Sequence, residues 1–176
     1  MSGTASRPFG VRPPGIRPMG VFDLPLLAAL HERCFTAAWD QDWSAASFAE
    51  ILAMPGAGGW LISTADEPQA AEPHEEEPGG FILTRQVLDE MEIILIGIDP
   101  AHRRRGIAGW LLDFTLSAAS RSGVKTVFLE QAAPNEAAQA LYAGRGFQPV
   151  GRRTGYYRNR DGEAVDAVVL RRDLSA

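Results

Sequence analysis

The chain has 176 residues, 45% of them apolar, which suits one soluble domain able to bury a core without staples. Its one cysteine, Cys34, excludes a disulfide framework, and His31, His74 and His102 stand too far apart for a ligand motif, so no metal is expected. Six acids in one segment (Asp66, Glu67, Glu72, Glu75, Glu76, Glu77) carry the net charge of −5; without them 16 acids face 17 bases, and no nucleic-acid footprint emerges.

Residues 1–14, rich in Gly, Pro and Arg, read as a disordered segment without the apolar centre of a signal peptide. No apolar run approaches the roughly 20 residues that span a bilayer, so a cytoplasmic protein without a membrane partner is the expectation. Residues 15–176 read as one domain. "GIRPMG" suggests a short strand, and "VFDLPLLAALHERCF" a helix opened by Asp23 and Pro25, with Leu26, Leu27, Leu30 and Cys34 at helical spacing. Cys34 has no base beside it and reads as a small core residue.

"WSAASFAEIL" reads as a second helix capped by Ser44. Two strands, "GGWLIST" and "GGFILTRQV", flank the acidic segment at about 66–78, which reads as a solvated loop insertion. "MEIILIGI" (91–98) fits a buried central strand. A helix over about 107–121 follows, then the strand "VKTVFLEQ", a helix from near Asn135 to Gly144–Gly146, and a closing hairpin near 147–157 and 164–171. The order β α α β β β α β α β β predicts an α/β fold around one mixed sheet.

Chemistry is concentrated in two places. In "IDPAHRRRGIAGWLL" a strand passes through a Gly-containing turn into a helix, which aims free N–H groups at one point where the helix dipole favours an anion. Gly106 and Ala108 would let a phosphate approach the backbone, and Arg103, Arg104 and Arg105 add charge. Alone, this turn reads equally well as a solvated basic corner. It matches neither the NTPase loop nor the dinucleotide fingerprint. The second place is Glu130 at the end of an apolar strand, followed by Asn135 at a helix start and Tyr142 on the same helical face. Each of these also has an ordinary structural reading, as a strand end, a cap and a core aromatic.

Together the pieces resemble the GNAT superfamily of acyl-CoA-dependent N-acetyltransferases. Arg103-Arg104-Arg105-Gly106-Ile107-Ala108 matches its Arg/Gln-x-x-Gly-x-Gly/Ala pattern, and "NEAAQALYAGRGF" its Asn-x-x-Ala-x-x-Leu-Tyr…Gly-Phe segment. Within it the chain looks most like the RimI family, which acetylates the N-terminal amine of a small-subunit ribosomal protein. "HERCF…WSAASF", "LEQAAPN", "LYAGRGF" and "GRRTGYYRNRDGEAVDAVVL" support this. The chain departs from that family at Gln131-Ala132, where Leu-Glu-Val is usual, in extra residues between Phe35 and Trp43, and in the acidic insertion. These departures bear on the peptide recognised rather than on the cofactor motifs.

The resemblance implies a sheet of about 6–7 strands flanked by about four helices, acetyl-CoA as co-substrate, and direct transfer of acetyl to an amine. Glu130 would be the base and Tyr142 the acid toward the leaving thiolate. The pantetheine arm would follow Ile96 and Ile98, with an oxyanion held by a backbone N–H nearby. The pyrophosphate would lie on Arg103, Arg104, Arg105, Gly106, Ile107 and Ala108, with Asn135 on the pantetheine amide. Trp43, Tyr156 and Tyr157 would line the acceptor groove, by analogy. An α-amine, with a pKa of about 8 against about 10.4 for lysine, is nearer to its neutral form at pH 7. A small-molecule amine or a lysine side chain as acceptor remains an alternative, as does a non-catalytic acyl-CoA-binding module.

Overall fold

The computed structural model describes residues 15–63, 78–158 and 162–174. The N-terminal segment 1–14 and nearly all of the acidic insertion lie outside the described residues. Pro78, assigned by sequence to the insertion, instead begins a strand and is buried.

Seven strands form one mixed sheet in the order β1-β2-β3-β4-β5-β7-β6. They are β1 (Gly15–Pro18), β2 (Ala57–Ser63), β3 (Pro78–Val87), β4 (Glu90–Ile98), β5 (Thr126–Ala132), β6 (Gln148–Arg158) and β7 (Ala164–Asp173). Every neighbouring pair is antiparallel except β4 and β5, which run parallel. Between them lies α3 (Ile107–Arg121), the crossover that a parallel pair requires. The other helices are α1 (Leu24–Cys34), α2 (Ala45–Leu52) and α4 (Glu136–Ala143). None is long and apolar enough to cross a membrane.

Local chemistry fixes the helix starts. Ser44 Oγ accepts from the Ser47 N–H at 3.2 Å, and Ser47 Oγ returns the bond to the Ser44 N–H at 3.3 Å, closing a reciprocal cap on α2. Asn135 caps α4 through Oδ1 and the Ala138 N–H at 3.1 Å. Asp23 does not cap α1 in this way. Its carboxylate accepts from the Gly20 N–H at 2.8 Å and pairs with Arg17 at 2.7 Å, holding a short 3₁₀ turn ahead of the helix.

The sheet has a core on each face. Met91, Ile93, Val127 and Leu129 pack with Leu111, Leu112, Leu116, Tyr142 and Phe147, the α3/α4 face. Leu27, Leu30 and Phe48 pack with Leu61, Phe81 and Leu83, the α1/α2 face. Burying a Leu or Phe contributes roughly 1.5–3 kcal/mol each, so both faces are anchored by apolar burial. Cys34 is buried, and burial pushes its thiol up to about 11, which suits a core residue rather than a nucleophile.

Two irregularities in the sheet position the site. Leu83 pairs with Leu95 but Thr84 pairs with Ile93, so Ile94 is an extra residue and β4 carries a bulge there. The β4–β5 ladder runs only from Glu90–Thr126 to Ile93–Leu129. Beyond the bulge the two parallel strands separate, and the β4 edge from Ile94 to Ile98 has no ladder toward β5.

Candidate active site

A cavity of about 260 Å³ opens at this separation. Its walls come from both faces of the sheet. Strand alternation puts Val127, Leu129 and Gln131 on the α3/α4 face, and Phe128 and Glu130 on the opposite one. Tyr142, Ala138 and Asn135 of α4 line the first side, as the helical stripe in the sequence requires. Glu92, Glu130, His31, Trp43, Tyr156 and Tyr157 line the remainder. Ile96 borders the cavity too. Ile98 and residues 103–108 do not; they continue the same strand edge into the turn that opens α3.

At that turn Arg104 has φ +65° and Gly106 has φ +78°. Gly106 is the N-cap of α3 and offers no side-chain acceptor, so the first-turn N–H groups lack the usual cap. A Cβ placed on Gly106 would meet nothing within 4 Å, leaving open space over those groups. The arginines differ in use. Arg103 donates through Nε to the Ile98 carbonyl at 3.0 Å and through Nη2 to the Cys34 carbonyl at 2.7 Å, tying the end of α1 to the end of β4. Its guanidinium therefore serves the fold, although its sequence position suggested a phosphate contact. Asp99 braces the same turn, accepting from the Ala101 N–H at 2.9 Å and from Arg33 at 2.7 Å. These partners, the Ala101 N–H first, hold its carboxyl below the usual range.

Glu130 lies two residues before the end of β5, not at its tip. Its carboxylate pairs with Arg153 at 2.9 Å, and its charge, after burial, helps to raise the pKa of the neighbouring Tyr156. Tyr156 and Tyr157 meet edge to face at 5.0 Å, and Arg153 stacks over Tyr156 at 5.2 Å. Burial, then the neighbouring Tyr156 and Glu130, push the Tyr157 phenol up to about 12. Tyr142 is 5% exposed and packs edge to face on Phe147 at 5.6 Å. Burial raises its phenol well above the ordinary value, with Tyr157 adding to the shift, so it keeps its proton throughout the neutral range. Tyr142 is thus at once a core aromatic and a cavity wall. Trp43 packs on Phe48 at 5.4 Å and His31 at 6.1 Å, making it as much core edge as groove.

The sequence reading did not assign His31, Glu92 or Arg153 to the site, and it noted Gln131 only as a departure from the family pattern. Glu92 had a usable signal, a lone charge inside the apolar run "MEIILIGI". Arg153 had none, because its approach to Glu130 depends on the β6–β7–β5 pairing. Among the described residues no group of three or more His, Cys, Asp or Glu side chains could hold a metal ion.

Comparison with known proteins agrees with this arrangement. The acetyltransferase (GNAT) family profile matches residues 24–147. The N-alpha-acetyltransferase RimI of Mycobacterium tuberculosis is 40% identical over 158 residues, covering 86% of this chain and 87% of that protein. The [ribosomal protein bS18]-alanine N-acetyltransferase of Escherichia coli is 37% identical over 95 residues, 54% of this chain and 64% of that protein, just under two thirds of its length. The crystal structure of the Escherichia coli ribosomal-protein-S18-alanine N-acetyltransferase superposes with a TM-score of 0.77 at 27% identity, covering 93% of this chain and 95% of that one. With the family profile spanning α1 to the end of the α4 segment, and both sequence motifs meeting at the split between β4 and β5, the chain belongs to the acetyltransferase (GNAT) family.

Proposed function

We propose that the protein transfers acetyl from acetyl-CoA to the N-terminal α-amine of a protein, with a ribosomal protein as the acceptor and the cytoplasm as its place of work. The observation that carries this reading is the split sheet. A single cavity joins Tyr142 and Asn135 on one face to Glu130 and Glu92 on the other. A thioester entering from the α3/α4 side and an amine entering from the α1/α2 side can meet in it. The relatives named for N-terminal acetylation, one of them matching along 86% of this chain, favour the α-amine as acceptor.

Acetyl-CoA supplies the activated acetyl group when bound. The open turn at Gly106 fits its phosphates, since uncapped N–H groups and the positive end of α3 face open space there. Asn135 spends Oδ1 on its cap, which leaves its NH₂ as a donor at the cavity wall. The unpaired β4 edge after Ile94 offers backbone N–H groups to hold negative charge near the reacting carbonyl.

Glu130 takes the proton from the attacking amine, directly or through a water, and Arg153 fixes its orientation. Tyr142, held neutral by burial, donates a proton to the departing sulfur. Glu92 and Glu130 give the acceptor side two carboxylates, complementary to an amine that arrives protonated.

Acetyl transfer to a peptide panel with free N-termini, blocked N-termini and side-chain lysines tests the reading. Free N-termini should be modified and blocked ones spared. Equal transfer to lysine in blocked peptides would overturn the α-amine acceptor, and binding of acetyl-CoA without any transfer would make the chain a binding module.

A further inference from the structure

Among the described residues, the buried threonines are satisfied from within. Thr115 Oγ1 donates to the Leu111 carbonyl at 2.8 Å, and Thr84 Oγ1 to the Gly58 carbonyl at 3.3 Å. Gln131 is not. It is 6% exposed, and its Oε1 is closed off from solvent with no hydrogen-bond partner. Such a group costs the free protein stability, so a buried orphan of this kind calls for a physical account.

Its position supplies one. Gln131 lines the cavity beside Asn135, Ala138 and Tyr142. Alternation along β5 puts it on the α3/α4 face with Leu129, away from Glu130. The side chain at this position therefore faces the α3/α4 side of the cavity, opposite to Glu130. Four residues later in the cavity wall stands Asn135, whose oxygen accepts the cap bond and whose NH₂ can donate. An acceptor without a donor and a further donor lie on one wall. A secondary amide carries one of each.

We propose that Gln131 binds the acyl carrier by accepting a hydrogen bond from the secondary amide N–H nearest the thioester, while Asn135 donates to that arm from the same wall. This rests on the acetyl-CoA reading above. Rotation about the terminal torsion of glutamine is soft, so the oxygen can turn to meet a donor entering between β4 and β5. Ligand entry would then repair the one orphan that the free protein carries among its described residues.

The test is Gln131→Met, which keeps length and apolar bulk but removes the carboxamide, with Gln131→Val as a second variant should the first fold poorly. Calorimetry with acetyl-CoA should show Kd raised about 5- to 10-fold, the worth of one hydrogen bond. The melting temperature of the unliganded variant should hold or rise, because the orphan is gone. A structural amide would give the opposite pair, a lowered melting temperature with Kd within twofold, and that result overturns the proposal.

The acetyl thioester of N-acetylcysteamine retains the thioester and that single amide. Its kcat/KM should fall by a similar factor, mostly through KM. A loss confined to acetyl-CoA would place the contact elsewhere on the carrier and also overturn the proposal. The two readings separate cleanly. Wild-type protein that binds acetyl-CoA but acetylates nothing removes the enzymatic function while this contact stands; wild-type protein that transfers normally alongside an unaffected variant removes the contact alone.

Discussion

The two faces of the sheet meet at one cavity but are built on different principles. On the α3/α4 side the working groups are backbone and caps: the open turn at Gly106, the Asn135 cap and a buried phenol in an apolar wall. On the α1/α2 side they are charged and aromatic side chains, with Glu92, Glu130, Trp43, Tyr156 and Tyr157 around the mouth. Backbone geometry is tolerant of sequence change except where a side chain would intrude. A side-chain wall can be retuned one residue at a time. In this molecule the first suits a fixed cofactor and the second a variable acceptor.

The largest expected effect breaks the backbone side. Aspartate is among the few side chains that visit the left-handed region, at some strain, so the melting curve of Gly106→Asp checks first that the fold holds. The aspartate carboxylate would occupy the open space over the first-turn N–H groups and repel phosphate. Calorimetry should show acetyl-CoA affinity down by about 100-fold or more, on the order of 3 kcal/mol. Normal affinity would end the phosphate assignment.

Next come the two residues proposed to transfer protons, one from each face. Tyr142→Phe and Glu130→Gln should each lower kcat by about 10², with acetyl-CoA binding nearly intact. They separate in pH dependence. Burial raises the Tyr142 pKa, so its acid form persists as pH rises past the ordinary phenol range. Turnover of the wild type should therefore climb as the amine deprotonates near pH 8 and show no fall up to pH 10. A descending limb below pH 10 that vanishes in Tyr142→Phe would contradict this assignment.

The contrast also explains what was legible in the sequence. The eleven strands and helices follow the order read from the sequence, because Ser44, Asn135 and Gly106 stand at helix starts and the central strands β3, β4 and β5 are apolar runs; β1 and the mostly polar β6 carry a weaker signal. Glu130, Asn135 and Tyr142 were readable from their offsets and do share the cavity. The bulge at Ile94 was not, since a register shift belongs to a pair of strands and leaves no mark on either alone. The structural bonds of Arg103 were hidden for a related reason. Its two acceptor carbonyls, at Ile98 and Cys34, are main-chain groups that no side-chain pattern announces. Gln131 was visible as a substitution, but its face could be assigned only once the neighbours of Leu129 were known.

Arg103 offers a smaller test of how the two faces are joined. Arg103→Met keeps the aliphatic stem and removes both donors, freeing the end of α1 from the end of β4. Charge-assisted bonds at a partly exposed site put the loss at about 1–2 kcal/mol by denaturant titration. Acetyl-CoA affinity should fall less than it does in Gly106→Asp, because the backbone groups at the turn remain. A loss of affinity equal to that of Gly106→Asp, at unchanged stability, would return Arg103 to the phosphate site.

The smallest expected effect belongs to His31, buried on the α1/α2 side and stacked on Phe35 at 4.4 Å. Burial lowers its pKa below the ordinary value, although Asp42 opposes the shift. The unfolded chain therefore binds a proton more readily than the native one does. The corresponding stability is present in full above about pH 6.5 and is lost as pH falls toward the lowered native value. Melting temperature should drop between pH 7.5 and pH 5.5, and His31→Phe, which keeps the stacking, should flatten that part of the profile. Asp23, Asp99 and Asp166, whose pKa values are lowered by their partners, give up their stability at lower pH and should leave this window unaffected. An unchanged slope in His31→Phe would mean that the acid sensitivity in this window arises elsewhere than in His31.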